Sequence, residues 1–309
     1  MNPQPVLTIS LVVIEVAGGE ALLKSIRHIS EFLKDFSVVV REENPQLKSA
    51  FPSLHVIVDN SPVPLRRKNA IMAEKSSDVV VLLEDTSLFS REALQAIDDV
   101  FKDSQVSAAS GPVVTDTKLA ARYQALGCTE YGIYHPAAVF SGIDSTVELP
   151  PLSQVVDRLP GNCLSYRTEA ILALLKDNTS GLVEGKINAL LQRKGGKLVI
   201  DSRLTTLYSG EDVWGARIKT RFSHGRVYAG VEANLETFTS RLVHALKALL
   251  LPLVLSVRSL KCLALMSEIR SVRAKCHVLF WVVLYQTAWA CGECVGALFG
   301  AASSLEHWR

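Results

Sequence analysis

Residues 77–86 read Ser-Asp-Val-Val-Val-Leu-Leu-Glu-Asp-Thr, an apolar run that ends in two acids. Its apolar run, Val79 to Leu83, is short and rich in β-branched residues, which predicts a buried strand. The strand closes on the carboxylate pair Glu84 and Asp85. Because ligands of parallel sheets bind at the carboxyl ends of strands, this pair is the first candidate for a binding site.

Three earlier segments repeat the pattern. Residues 7–16, 36–40 and 55–58 are apolar runs, and the first is followed by Ala17-Gly18-Gly19 and an amphipathic helical pattern. Strands that alternate with helices and are apolar on both faces indicate an α/β fold with a parallel sheet covered by helices. A dinucleotide-binding dehydrogenase is the competing interpretation, but the G-x-G-x-x-G sequence that it needs after the first strand is absent.

The composition limits the classes of function. The chain has 309 residues with 33 basic and 31 acidic side chains, so its charge gives no reason to expect nucleic acid as a partner. Six cysteines are too few for a disulfide scaffold in a chain of this length, and a reducing compartment fits them. The N-terminal sequence lacks the features of a signal peptide, so we expect the first domain to stay in the cytosol.

The chain becomes more apolar after about residue 240. Residues 242–257 are too few to span a bilayer, which takes about 20 residues, and they fit an interfacial or re-entrant segment. Residues 278–302 fit a transmembrane helix, and the basic linker between the two segments is expected on the cytosolic side. Two buried helices of a soluble protein are the alternative. We predict one domain at residues 1–235 and a membrane-associated helical region at 236–309.

Several motifs follow one another in a recognisable order. They are Arg67-Lys68-Asn69-Ala70, the acids Glu84-Asp85, Gly111-Pro112-Val113, residues 130–136, Leu159-Pro160-Gly161-Asn162, residues 221–229 and the tail from Ala288 to Gly300. Together they resemble family 2 glycosyltransferases with the GT-A fold, in particular a bacterial branch with a C-terminal membrane segment. The resemblance covers essentially the whole chain. It implies a Rossmann-like GT-A domain that transfers a sugar from a nucleotide-sugar donor.

The resemblance also implies a donor site, formed by Glu42, Glu43, Asn69, Glu84, Asp85 and Asn162. The acids after the second strand would bind the base of the nucleotide. Asp85 would bind Mg²⁺ or Mn²⁺, because a divalent cation stabilises the charge that develops on a diphosphate leaving group. Thr86 stands where the family has a further acid.

On the acceptor side, Glu184 matches the family acid that opens a helix after a Gly-containing loop. The resemblance implies that Glu184 is the general base of an inverting transfer. Arg221, His224 and Arg226 form a basic cluster suited to a diphosphate or to the phosphate of an acceptor. A glutamate stabilised by a helix dipole and a basic surface facing lipid headgroups are the alternative interpretations.

We therefore expect a membrane-attached glycosyltransferase on the cytosolic side of the cell inner membrane. Its acceptor would be a lipid-linked or other envelope glycan, with membrane lipid as a further partner and no nucleic acid. The departures at Glu15, Thr86 and Gly185 favour a second hypothesis, a catalytically degenerate protein that binds a nucleotide-sugar or glycan as a scaffold. A third, a soluble dinucleotide-dependent enzyme, predicts that the chain binds NAD.

Overall fold

The computed structural model describes residues 7–116, 118–140, 153–176, 178, 181–210, 214–232, 235–265 and 271–305. By their contacts the residues form two compact units. The first comprises Met1–Val113 and Ile143–Gly210, and the second comprises Val114–Gly142 and Glu211–Arg309. Residues 114–142 thus belong to the second unit although they lie within the predicted domain 1–235, whose boundary stays a prediction.

The strands in the described residues are β1 (Ile9–Ile14), β2 (Ser37–Val40), β3 (His55–Val58), β4 (Val79–Glu84), β5 (Ser87–Leu88), β6 (Val106–Ser110), β7 (Val113–Thr115), β8 (Ser153–Val155), β9 (Cys163–Arg167), β10 (Lys197–Asp201) and β11 (Thr206–Tyr208). The helices there are α1 (Gly19–Ser30), α2 (Pro45–Ala50), α3 (Val63–Ala73), α4 (Arg91–Phe101), α5 (Ala121–Tyr131), α6 (Pro136–Val139), α7 (Thr168–Leu175), α8 (Glu184–Arg193), α9 (Trp214–Val227), α10 (Phe238–Ala248), α11 (Leu251–Leu265) and α12 (Val272–Phe299).

The first unit is built on a mixed sheet with the strand order β3-β2-β1-β4-β9-β6-β10-β8. Strands β9 and β8 run antiparallel to their neighbours, and the other described pairs of this eight-stranded sheet are parallel. The predicted α/β fold with a mostly parallel sheet covered by helices is therefore confirmed. All four N-terminal strands occur where the apolar runs predicted them. β3 lies at the edge of the sheet, which explains why its side chains are half-buried or exposed.

Both faces of the sheet are covered, as the continuous apolar strands predicted. Alternate side chains of β1 and β4, such as Val13 and Val81, pack with the apolar faces of α1 and α4 in one core. The intervening side chains, such as Val12 and Val80, are also fully buried. Helices α3, α7 and α8 contact the strands β1, β9 and β10. The loops that follow the carboxyl ends of these strands carry polar residues.

The second unit is helical, and α12 is its central helix. Helices α5, α9, α10 and α11 all contact it. Helices α9 and α12 approach so closely that a Cβ atom placed on Gly292 would lie 1.9 Å from the carbonyl oxygen of Phe222. Small residues allow such backbone-to-backbone packing in membrane and soluble helix pairs alike. One face of α12 is therefore covered by protein.

Two segments of this unit have apolar surface suited to a membrane. Helix α12 is long and apolar enough to cross a bilayer, although 39% of its most apolar 18-residue segment is buried inside the protein. It begins and ends earlier than the predicted span 278–302. The predicted interfacial segment 242–257 corresponds to α10 and α11, which are bent by 48° relative to each other. Among the residues described, these two helices expose a series of large apolar side chains: Phe238, Leu242, Val243, Leu246, Leu249, Leu250, Leu253, Val254, Val257 and Leu260.

The close approach of α9 and α12 predicts the effect of Gly292→Ala. Alanine is the better helix former by about 1 kcal/mol, but its methyl group must push the two backbones apart, which costs about 1–3 kcal/mol. We expect a lower midpoint of thermal unfolding in detergent. Cys291→Ala, at the neighbouring exposed position, should change the free energy of unfolding by less than about 0.5 kcal/mol and so leave the midpoint close to that of the wild type. A stabilised Gly292→Ala protein would contradict the close packing.

Candidate functional site

The carboxyl ends of β1 and β4 lie side by side at one edge of the sheet. In this parallel pair, Ile14 is aligned with Glu84. Glu84 is half-buried, and Asp85, the next residue, is only 1% exposed. Successive side chains at a strand end point in opposite directions, so the two predicted donor-site acids have different surroundings.

The carboxylate of Asp85 fixes the turn between β1 and α1. It accepts hydrogen bonds from the backbone N–H groups of Val16 at 3.1 Å, Ala17 at 3.0 Å and Gly18 at 2.7 Å. Gly18 has a φ of 74°, and a Cβ atom there would lie 2.7 Å from Oε1 of Glu15, so the turn requires glycine. Burial raises the pKa of Asp85 to about 7, although the three N–H groups act in the opposite direction.

Arg67 connects the predicted donor-site acid to the predicted base. It lies on α3 with its side chain 3% exposed, and its guanidinium group forms ion pairs with both Glu84 and Glu184. The two glutamate side chains are 14% and 16% exposed. The planar fork of N–H donors on arginine can hold two carboxylates at once. A single positive charge therefore brings the two predicted functional acids into one largely buried site.

Glu184 is the first residue of α8, as the sequence predicted. A Cβ atom on Gly161 would lie 2.7 Å from its Oε1, so the Leu-Pro-Gly-Asn turn passes directly beside the carboxylate. The N–H group of Leu182 donates to the carbonyl oxygen of Pro64 at 2.7 Å. This bond ties the start of α8 to the start of α3, which carries Arg67, and so positions both ends of the ion pair.

Arg66 is a second buried arginine at the same sheet edge, and sequence reasoning assigned it no role. Its side chain donates to the carbonyl oxygen of Glu15 at 2.6 Å, and the carboxylate of Glu15 accepts from the N–H group of Arg41 at 2.6 Å. Burial lowers the pKa of Arg66 to about 10, while Glu15 opposes this shift. Arg66 immediately precedes the motif that starts at Arg67, and only burial distinguishes these two arginines from ordinary surface charges.

Asn162 is completely buried and organises the turn beside Glu184. Its side-chain amide donates to Oγ of Ser87 at 3.0 Å and to Oγ1 of Thr206 at 2.9 Å. Its backbone carbonyl oxygen accepts a hydrogen bond from the N–H group of Glu84 at 2.9 Å. Asn162 thus connects β5 and β11 to the end of β4, and its predicted contact with a donor stays a prediction.

The other predicted donor residues lie on the surface. Glu42 and Glu43 are exposed in the loop after β2, where Glu43 is 3.6 Å from Lys48. They follow a strand parallel to β1, so they share the sheet edge of the buried acids. Asn69 is exposed on α3 and donates to Asp59 at 2.8 Å. It is not part of the Arg67 ion-pair site, because residues two apart on a helix point in different directions.

The contacts at the end of β4 do not fit a Mg²⁺ or Mn²⁺ site as they stand. Both oxygens of Asp85 accept backbone hydrogen bonds, and Glu84 is paired with Arg67. Such cations need several oxygen ligands directed at one point. Within the described part of the chain, no group of three or more His, Cys, Asp or Glu residues could hold a metal ion. Asp85 as a metal ligand stays a prediction that this arrangement does not favour.

Arg221 and His224 lie on α9 in the second unit and share one acidic partner. Nη1 of Arg221 is 3.3 Å from Oε1 of Glu130, and Nδ1 of His224 is 4.0 Å from the same oxygen. The guanidinium group of Arg221 also lies 4.5 Å from the centre of the Trp289 ring, in a cation–π contact. Burial lowers the pKa of Arg221, and Glu130 opposes the shift.

Arg226 is directed to another partner, so the three predicted basic residues do not form one cluster. Its Nε donates to the carbonyl oxygen of Gly300 at 3.0 Å, just beyond the end of α12. A cation at this position is favourable because the last carbonyl groups of a helix lack partners within the helix. Arg226 therefore stabilises a helix end in this structure, and its predicted contact with phosphate stays a prediction.

Comparisons with known proteins show similarity in structure but not in sequence. No family model matches the sequence, and no curated protein matches it. Among solved structures, GalNAc-T7 with UDP, GalNAc and Mn²⁺ matches with a TM-score of 0.49 and 10% sequence identity. The match covers 78% of this chain and 51% of that chain, so this chain spans about half the length of the solved structure.

The buried carboxyl of Asp85 predicts a pH dependence of stability. Its folded-state pKa lies above the ordinary value of 3.8, so the folded chain binds more protons than the unfolded chain between about pH 4 and pH 7. The stabilising contribution of Asp85 is present at low pH and is lost as pH rises through this range. We expect the free energy of unfolding of the wild type, relative to Asp85→Asn, to fall between pH 5 and pH 8.

Asp78, at the other end of β4, provides the control. Hydrogen bonds from Thr8 hold the pKa of Asp78 below its usual value. Asp78→Asn should therefore show no change relative to the wild type between pH 5 and pH 8. Urea unfolding at both pH values measures the differences. A relative stability that rises with pH would mean that the three N–H groups outweigh burial at Asp85.

Proposed function

We propose that this chain is a glycosyltransferase that uses a nucleoside-diphosphate sugar. The observation that carries the proposal is the Glu84–Arg67–Glu184 site, in which a strand-end acid and a helix-opening acid meet at the carboxyl edge of a mostly parallel sheet. This is the edge where such sheets bind ligands. The order of motifs that resembles family 2 glycosyltransferases supports the same class of reaction.

In the proposed reaction, Glu184 accepts the proton of an acceptor hydroxyl group. The hydroxyl oxygen attacks the anomeric carbon of the sugar as the bond from that carbon to the diphosphate breaks, which inverts the configuration. The leaving diphosphate carries additional negative charge. Arg66 is a buried cation at the same sheet edge and can stabilise that charge.

We further propose that the acceptor is presented at a membrane. The apolar side chains exposed on α10 and α11 support attachment to lipid, and basic residues such as Arg241 and Lys247 lie among them. A lipid-linked or envelope glycan acceptor at the cytosolic face of the inner membrane fits this surface. The attachment would confine the enzyme to the surface on which its acceptor is found.

The predicted cofactor has a direct test. If Mg²⁺ or Mn²⁺ is required, excess EDTA abolishes transfer and added Mn²⁺ restores it. A thermal-shift screen of nucleotide-sugars with and without Mn²⁺ identifies the donor in the same experiment. Unchanged transfer in excess EDTA would contradict the predicted cofactor. That result would agree with the hydrogen bonds by which both oxygens of Asp85 accept backbone N–H groups.

Glu184→Gln tests the proposed base. The amide keeps the shape of the side chain but cannot accept the proton, so transfer should fall by about 10²–10⁴-fold while donor affinity is retained. Initial rates and donor binding by calorimetry measure the two effects. Glu169 is an exposed glutamate in the first turn of α7, and Glu169→Gln is the matched control that should leave both unchanged. Retained turnover in Glu184→Gln would rule out this base.

One observation favours the scaffold hypothesis. Both carboxylates of the site are already paired with Arg67, and a base held in this way must be released before it can accept a proton. A degenerate protein would bind the nucleotide-sugar without consuming it. Slow hydrolysis of the donor in the absence of acceptor distinguishes the two, because it requires an active site. Binding without any hydrolysis would favour the scaffold.

A further inference from the structure

A cavity of about 110 Å³ lies within the second unit, between α5, α11 and α12. Its polar lining is formed by Thr129, Glu130, Arg258, Ser259 and Gln286. A cavity that holds a single water molecule has a volume of about 10–15 Å³ by the same measure, so this cavity admits a chemical group of several heavy atoms. None of the residues predicted from the sequence to bind a ligand lines it.

Gln286 is the clearest sign that this cavity takes a ligand. Its side chain is only 2% exposed, and its amide oxygen has no hydrogen-bond partner among the residues that the structure describes. Buried polar atoms in native proteins almost always have a partner in the protein or an ordered water, so an unpaired one marks a place where a bound molecule can donate a hydrogen bond. Ser259, which is 4% exposed, adds a hydroxyl group to the same lining. The interior of the cavity is therefore built for hydrogen bonding.

Glu130 is held in a fixed orientation in the cavity wall. Arg221 and His224 both approach it through the same oxygen, Oε1. A carboxylate has two oxygens with several acceptor sites, so Glu130 can also accept a hydrogen bond from a ligand. A carboxylate, an amide and a hydroxyl group together are suited to a molecule with several hydroxyl groups.

The edge of the cavity combines a cation with apolar surface. Arg258 is exposed on α11 and makes no ion pair with any described residue. Leu253, Val254 and Val257, on the same helix, are 71%, 58% and 47% exposed. A guanidinium group is suited to phosphate, and exposed apolar side chains beside basic ones are suited to the boundary between lipid headgroups and chains.

We propose that this cavity binds the headgroup of a phospholipid or glycolipid that carries both a phosphate and free hydroxyl groups. Arg258 contacts the phosphate, Gln286, Ser259 and Glu130 contact the hydroxyl groups, and the hydrocarbon chains lie along α11. The inference deepens the membrane attachment in the proposed function. It does not depend on the chemistry of the first unit.

Binding of the full chain to vesicles tests the proposal. Two kinds of phosphatidylcholine vesicle are compared, which contain the same fraction of an anionic lipid. In one kind this lipid is phosphatidylglycerol, whose headgroup has free hydroxyl groups. In the other it is phosphatidylserine, whose headgroup has the same net charge but no hydroxyl group. We expect tighter binding to the phosphatidylglycerol vesicles. The ratio of the two affinities, phosphatidylglycerol over phosphatidylserine, should fall about fivefold for each hydrogen bond lost. Gln286→Leu and the smaller change Ser259→Ala should each lower this ratio, with folding checked by circular dichroism.

Lys247→Met is the matched control, because Lys247 is an exposed cation on α10 outside the cavity. It should weaken binding to both vesicles equally and leave the ratio unchanged. Equal binding of the wild type to the two vesicles, or an unchanged ratio in both cavity variants, would overturn the proposal. Full competition by soluble glycerol phosphate at low concentration would overturn the lipid as the source of the headgroup. Donor binding, measured on the same preparations, can fail without changing the vesicle ratio.

Discussion

The ion pairs of Arg67 are the interaction on which the first unit depends. Glu84 ends β4 and Glu184 begins α8, and without the guanidinium group two carboxylates would face each other in a largely buried site. Removing one partner from a buried ionic group costs about 3–5 kcal/mol. The position of α8, the turn that carries Asn162 and the start of α3 are all adjusted around this charge. The same contact defines the site and constrains its chemistry.

The four strands β1 to β4 could be predicted because their signal is local. Short apolar runs, separated by helical patterns, predict parallel strands from the local sequence alone. The ion-pair site could not be predicted in the same way. Arg67 on a helix next to Arg66 and Lys68 has the sequence of a surface face, and only the burial of α3 shows that its charge must be matched. Long-range side-chain pairing has no signature in the spacing of residues.

The acidic pair at the end of β4 shows the limit of a motif. Its place at the sheet edge followed from the strand, but the roles of its two members depend on which way each side chain points. Asp85 turns inward and accepts three backbone N–H groups, whereas Glu84 meets Arg67. The first shapes the turn after β1, and the second joins the site of the predicted base. The pair therefore acts through structure and charge before any metal is considered.

The two apolar segments of the second unit differ in how far the protein covers them. The sequence favours α12 as the lipid-exposed element because it is the longest apolar run. Yet Glu293 in α12 accepts hydrogen bonds from Trp289 and contacts His244, both at 2.7 Å, and α9 covers the adjacent face. Ionisable groups in hydrocarbon are stable only with such partners. Among the residues described, α10 and α11 expose large apolar side chains such as Leu246 and Leu253, which supports the proposal that these helices meet lipid.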